Sequence, residues 1–125
     1  MKKHHLFISA LFLLFSCGKT AFIKEMQGKW QVTEINYVFD DHTLAETSPS
    51  MYFIFQDTHY QTLNGDSVVE TGTYSVNGKV TQIEFFTSLG NDVYIIEEKT
   101  ATYQHWKSKK KIVDFYLDFK LEKIE

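Results

Sequence analysis

At 125 residues the chain is the size of one domain. Its 43% hydrophobic and 16% aromatic residues supply a packed core, which excludes the disordered and collagen-like classes. The net charge is −3, the 13 basic residues are all Lys, and there is one Cys. Nucleic acid is therefore not an expected partner, and neither an intrachain disulfide nor a Cys-based zinc site can form.

The chain opens with Met1-Lys2-Lys3-His4-His5, a charged start, followed by the apolar run Leu6–Phe15. That run suits the core of a signal peptide and falls short of the roughly 20 residues that span a bilayer. Leu14-Phe15-Ser16-Cys17 then resembles the lipobox of bacterial lipoproteins. The resemblance implies loss of residues 1–16 and acylation, palmitate included, of Cys17 as the mature N-terminus. With Gly18 rather than Asp next, it implies an address at the outer membrane of the cell envelope. An ordinary secretory signal with an unrelated Cys is the alternative. Residues 17–27 are expected to hold the lipidated Cys, a tether and a short helical turn. Thr20 can cap that turn, Phe22, Ile23 and Met26 give it one apolar side, and Gly28 can end it. The apolar side needs a surface to cover, such as the open bottom of a barrel.

From Gly28 on, β-branched and aromatic residues alternate with turn signals. The pattern predicts strands at Gly28–Phe39, Met51–Gln56, His59–Asn64, Ser67–Val76, Lys79–Thr87, Asp92–Glu97, Thr100–Trp106 and Lys111–Glu122, with a loop from Asp40 through Pro49. Asn64-Gly65-Asp66 and Asn77-Gly78 signal tight hairpins, because their residues tolerate positive φ. The last strand alternates best: Val113, Phe115, Leu117, Phe119 and Leu121 form one face and charged residues most of the other. The fold class is all-β: eight antiparallel strands in up-and-down order over 28–125. Such a meander removes its exposed edges most simply by closing into a barrel.

Gly28-Lys29-Trp30, preceded by Phe22-Ile23-Lys24-Glu25-Met26, resembles the entry to the first strand of the lipocalin-like superfamily. Met51-Tyr52-Phe53-Ile54-Phe55 and Gly72-Thr73-Tyr74-Ser75-Val76-Asn77-Gly78 are similar to its second and fourth strands. The likeness is greatest to small lipocalin-like lipoproteins of Bacteroidota. It implies a closed barrel that binds rather than catalyses, with Gly28 and Trp30 as the family motif. Lipocalins place an Arg late in the final strand over that Trp; here the candidates are Lys120, on the polar face by parity, and Lys123, on the apolar one.

Eight strands enclose room for side chains or for one small ligand. If Trp30 points inward, strict parity sends Glu34 and Asn36 inward too, as polar anchors for a ligand. The alternative is a bulge after Val32, which turns Ile35, Tyr37 and Phe39 inward instead. Phe53, Phe55, Phe85, Tyr103, Phe115 and Phe119 are candidate interior residues, either as ligand walls or as plain core. No metal or cofactor is expected, since His42, His59 and His105 fall on different elements. No nucleophile motif such as Gly-x-Ser-x-Gly is present, so catalysis has little support. Lys107-Ser108-Lys109-Lys110-Lys111 reads as a solvated hairpin tip or as a contact for anionic groups. The expected function is non-catalytic binding of a small apolar or amphipathic molecule inside the barrel. The alternative is a protein-interaction module, such as an inhibitor of an envelope hydrolase or an accessory subunit of an outer-membrane complex. Strand Met51–Gln56, apolar on both faces, and the 40–50 loop suggest that second reading.

Overall fold

A computed structural model describes residues 18–47 and 49–125. The signal segment and Cys17 lie outside the described residues. The chain is helical over 18–26 (α1) and then forms nine strands: β1 Gly28–Val38, β2 Thr43–Thr47, β3 Met51–Gln56, β4 His59–Asn64, β5 Ser67–Val76, β6 Gln82–Thr87, β7 Gly90–Lys99, β8 Tyr103–Ser108 and β9 Tyr116–Lys123. Each strand pairs antiparallel with its sequence neighbours, apart from β2 and β3, and β1 also pairs with β9, so the sheet closes. Eight strands make the wall of an up-and-down barrel, and β2 is an addition to it.

β2 corrects the expected 40–50 loop. The lower part of β1, Gly28–Gln31, pairs with β3, while its upper part, Glu34–Val38, pairs with β2. Both partners use the same edge of β1, so β2 and β3 occupy one strand position in succession. Pro49, which has no N–H to give to a ladder, lies in the break between them. The upper part of β1, with β2 and β9, continues past the last β1–β3 pair as a flap.

Three other expected strand starts move for local reasons; β8 begins at Tyr103 rather than Thr100, whose hydroxyl accepts from the Tyr103 N–H (2.9 Å). Residues 111–115 form a turn rather than the start of the last strand: Val113 has φ 60° and is 86% exposed, and Ile112 pairs back onto Phe115. Residues 77–81 form a loop rather than a two-residue hairpin. There the Asn77 side-chain oxygen accepts from the N–H groups of Thr81 (2.8 Å) and Gln82 (2.9 Å), which delays β6. The turn at Gly65-Asp66 is as tight as expected, with Gly65 at φ 62°.

Parity along β1 is decided by a bulge. The β1–β9 register slips between Val32 and Glu34, and the extra residue, Thr33, donates its hydroxyl to the Lys120 carbonyl (3.1 Å). Trp30, Val32 and then Ile35 are buried. Glu34 and Asn36 therefore leave the interior: Glu34 pairs with Lys120 (3.2 Å) and Asn36 donates to Asp118 (3.3 Å) on the outer wall. This corrects their expected role as interior anchors. Burying a charge unpaired costs several kcal/mol, and one inserted residue avoids that cost.

α1 closes the bottom. Phe22 and Met26 are buried against the barrel, and the Trp30 indole donates to the Met26 carbonyl (2.8 Å). Lys123, rather than Lys120, covers Trp30. Its ammonium lies 5.9 Å from the ring and donates to the Glu25 carbonyl (2.8 Å), tying β9 to α1.

Candidate functional site at the open end of the barrel

Above Trp30 the interior is filled by aromatic rings. Phe53, Phe55, Tyr60, Phe85, Trp106 and Phe119 meet at ring separations such as 4.7 Å for Tyr60–Phe85, 5.6 Å for Phe85–Trp106 and 5.7 Å for Phe53–Phe55. Edge-on and offset contacts of this kind are favourable and leave little free volume. Trp30, Phe53, Phe55, Phe85 and Phe119 thus lie where the sequence places them, but packed against one another or against the barrel floor.

Two candidates lie elsewhere. Tyr103 is on the outer wall, because the buried set on β8 is Gln104, Trp106 and Ser108. Gln104 takes the inward position by satisfying both its polar atoms: it accepts from the Trp106 indole (2.7 Å) and donates to the Met26 sulfur (2.9 Å). Phe115 is half-buried in the β8–β9 turn, edge-on to Tyr37 at 5.4 Å and tilted against Phe39 at 5.4 Å, under the flap rather than inside.

The polar groups of the open end escape a reading by composition. The Tyr60 hydroxyl donates to the Glu70 carboxylate. Burial, then Glu70, then Asp92 and Tyr94 push the Tyr60 phenol well above its ordinary value. Burial, then Asp92 and Glu70, does the same to Tyr94. Two phenols and two carboxylates therefore converge at the top of the aromatic stack. Tyr94 is 9% exposed as a residue; its hydroxyl makes no hydrogen bond among the described residues and is open to solvent, since no buried side-chain polar atom there lacks a partner. It borders an open cleft of about 410 Å³ between the start of β7 (Asn91–Tyr94) and the β8–β9 turn (Ser108–Ile112). Lys111 on that cleft is held by Asp40 (2.8 Å), whereas Lys109 and Lys110 have no ion-pair partner among the described residues. The available signal for this site is the inward parity of Asp92, Tyr94 and Ile96 on β7.

The outer wall carries a polar row across four strands, Glu34–Lys120–His105–Glu98 in register. His105 lies 2.7 Å from Asp118 and 3.9 Å from Glu98. His42 stacks on Phe39 (4.6 Å) at the flap tip and His59 is exposed on β4, so the three histidines stay apart. Among the described residues no group of His, Cys, Asp and Glu is arranged to hold a metal ion.

A closed antiparallel barrel of eight strands with a helix across its base and Gly-x-Trp at the start of the first strand defines a lipocalin-like protein. The sequence profile of the lipocalin-like domain matches residues 26–111, and the chain belongs to that family. No curated protein sequence matches the chain. Among solved structures it is similar to an uncharacterized protein from Bacteroides eggerthii DSM 20697, with a TM-score of 0.57 and 14% identity. That match covers 79% of this chain and 99% of that one, and a likeness at this identity speaks for the fold alone. The family fold is generally one of binding rather than catalysis.

Proposed function

We propose that the protein is a lipid-anchored, non-catalytic binding protein of the bacterial envelope whose small amphipathic ligand sits at the mouth of the barrel. The observation that carries this reading is Tyr94, nine-tenths buried as a residue, whose unpartnered hydroxyl opens onto a cleft of about 410 Å³. That size falls among small-molecule sites, which run from about 300 to 1,000 Å³. The aromatic stack beneath leaves the deep interior no comparable room, so the ligand rests on Tyr94 instead of among Phe53, Phe55 and Phe85. Val93 and Ile112 offer apolar contact, Asp92 and Tyr94 accept hydrogen bonds, and Lys109 and Lys110 attract an anionic group. The lipobox-like Leu14–Cys17 supports acylation at Cys17 and an outer-membrane address.

Native mass spectrometry on the full chain, extracted from envelopes in mild detergent, tests the site. A small molecule should accompany the wild type and be lost from Tyr94→Phe and from Lys109→Glu/Lys110→Glu. Wild-type protein free of any such mass, and with unchanged amide NMR shifts on adding envelope lipid extract, would overturn the reading. The anchor is tested separately: labelled palmitate should enter the wild type and not Cys17→Ala, and label in neither removes it.

A further inference from the structure

We propose that β2 is a docking edge: an extended peptide segment of a partner protein, apolar at one position and basic at its flanks, adds to β2 as a further strand and seats its apolar side chain in the notch between β2 and the β4–β5 hairpin.

Phe39 N–H donates to the His42 carbonyl (2.9 Å), which makes this the first bonded pair of the β1–β2 hairpin. Bonded and non-bonded pairs alternate along an antiparallel ladder. With the register Tyr37↔Leu44 and Ile35↔Glu46, Leu44 and Glu46 spend their backbone groups on β1. Thr43, Ala45 and Thr47 direct theirs to the opposite side. The pattern agrees with the far side of β1, where Leu117, opposite Tyr37, turns its N–H away to the Ser108 hydroxyl (2.9 Å). β2 pairs with β1 alone, and among the described residues no hydrogen bond reaches the outward groups of Thr43, Ala45 or Thr47. Proteins blunt such edges with Lys, Pro or a bulge. Thr43–Thr47 has none of these, and all five residues are exposed.

Beside this edge lies an apolar notch of about 250 Å³, bordered by Ile35, Pro49, Met51, Leu63 and Val69. Val69 is the residue the β4–β5 ladder skips, between Glu70 opposite Thr62 and Val68 opposite Leu63, and it is 69% exposed. Leu44, 55% exposed, shares a face with Ile35 and Tyr37. A strand added to β2 would therefore send alternate side chains toward the notch, with main-chain bonds supplying affinity and the notch supplying selectivity. Charge decides the occupant. Glu46 lines the notch and Asp66 sits at the facing hairpin tip, while Asp40 and Asp41 at the flap tip already face Lys111 and His42. A second copy would bring these same carboxylates against themselves, whereas a basic segment complements them.

The test uses the full chain in detergent and a capped seven-residue peptide with Val at its centre, Lys at both ends and Thr elsewhere. Adding it should slow amide exchange at Thr43, Ala45 and Thr47 and shift Leu44, Met51 and Val69. The same peptide N-methylated at alternate amides, or with Glu for Lys, should bind more weakly by about tenfold or more. Ala45→Pro removes an outward N–H without breaking the β1 ladder, and exposed Val69→Lys adds a charge at the notch; each should weaken binding while leaving the thermal midpoint near wild type. Equal binding of the Glu peptide, or insensitivity to both N-methylation and Val69→Lys, would overturn the proposal. So would wild-type dimers in sedimentation that Ala45→Pro dissociates, since a second copy would then be the occupant.

Discussion

Gln104 shows how one polar residue earns a core position. It is fully buried on β8, accepts from Trp106 and donates to Met26, whose carbonyl in turn receives the Trp30 indole. Two tryptophans and a helix end are thus joined through two side chains. Replacing Gln104 by Leu keeps the volume but leaves the Trp106 N–H buried without an acceptor. The expected loss is about 1–3 kcal/mol, read from the shift in urea midpoint with an unchanged slope. Composition alone favours Tyr103 as the inward neighbour, because an isolated Gln looks costly to bury. Only the positions of Trp106 and Met26 make it the better choice.

At the scale of elements, the link between α1 and the β3–β4 turn runs through one side chain just past the helix. The two N–H groups of the Gln27 amide donate to the Ile23 carbonyl (2.9 Å) and the Tyr74 hydroxyl (3.1 Å), the Asp57 carbonyl lies 3.2 Å from the same nitrogen, and the amide oxygen accepts from the Asp57 N–H. Asp57 sits in the β3–β4 turn at φ 55°, a conformation held by these bonds and by the Tyr74 hydroxyl, which donates to its carbonyl (2.8 Å). Gln27→Ala should cost about 1–2 kcal/mol, concentrated at the barrel floor. Hydrogen exchange checks this: protection should fall across 18–26 and at the β3–β4 turn, while β6–β8 stays as protected as in the wild type. The helical turn and its apolar side were legible from Phe22, Ile23 and Met26. Its latch was not, because Gln27 acts through Asp57 and Tyr74, far away in sequence.

For the whole molecule, the tyrosines set the response to alkali. Burial holds Tyr60, Tyr74 and Tyr94 above the ordinary phenol value of 10.0, and nearby carboxylates add to this at Tyr60 and Tyr94. The folded protein keeps these groups neutral, while the unfolded chain ionises at the ordinary value. Their contribution is therefore fully present below about pH 10 and is lost as pH rises through the higher folded values. The tyrosine contribution should leave unfolding midpoints level up to about pH 10 and lower them above it, and Tyr94→Phe should flatten that fall. A wild-type midpoint that stays level beyond pH 10 would contradict the burial of these phenols.

Alternation of apolar and polar residues, the turn signal at Gly65-Asp66 and the Gly28-x-Trp30 entry determined an all-β meander that closes on itself, because these are properties of neighbouring residues. Most of the interior aromatics were legible for the same reason. The bulge at Thr33, the flap strand β2, the outward face of Tyr103, the choice of Lys123 over Trp30 and the convergence of Tyr94 with Asp92 and Glu70 were decided by tertiary structure. Each depends on which strand lies alongside which, and in what register. A shift of one residue there turns a whole strand over without changing the local pattern.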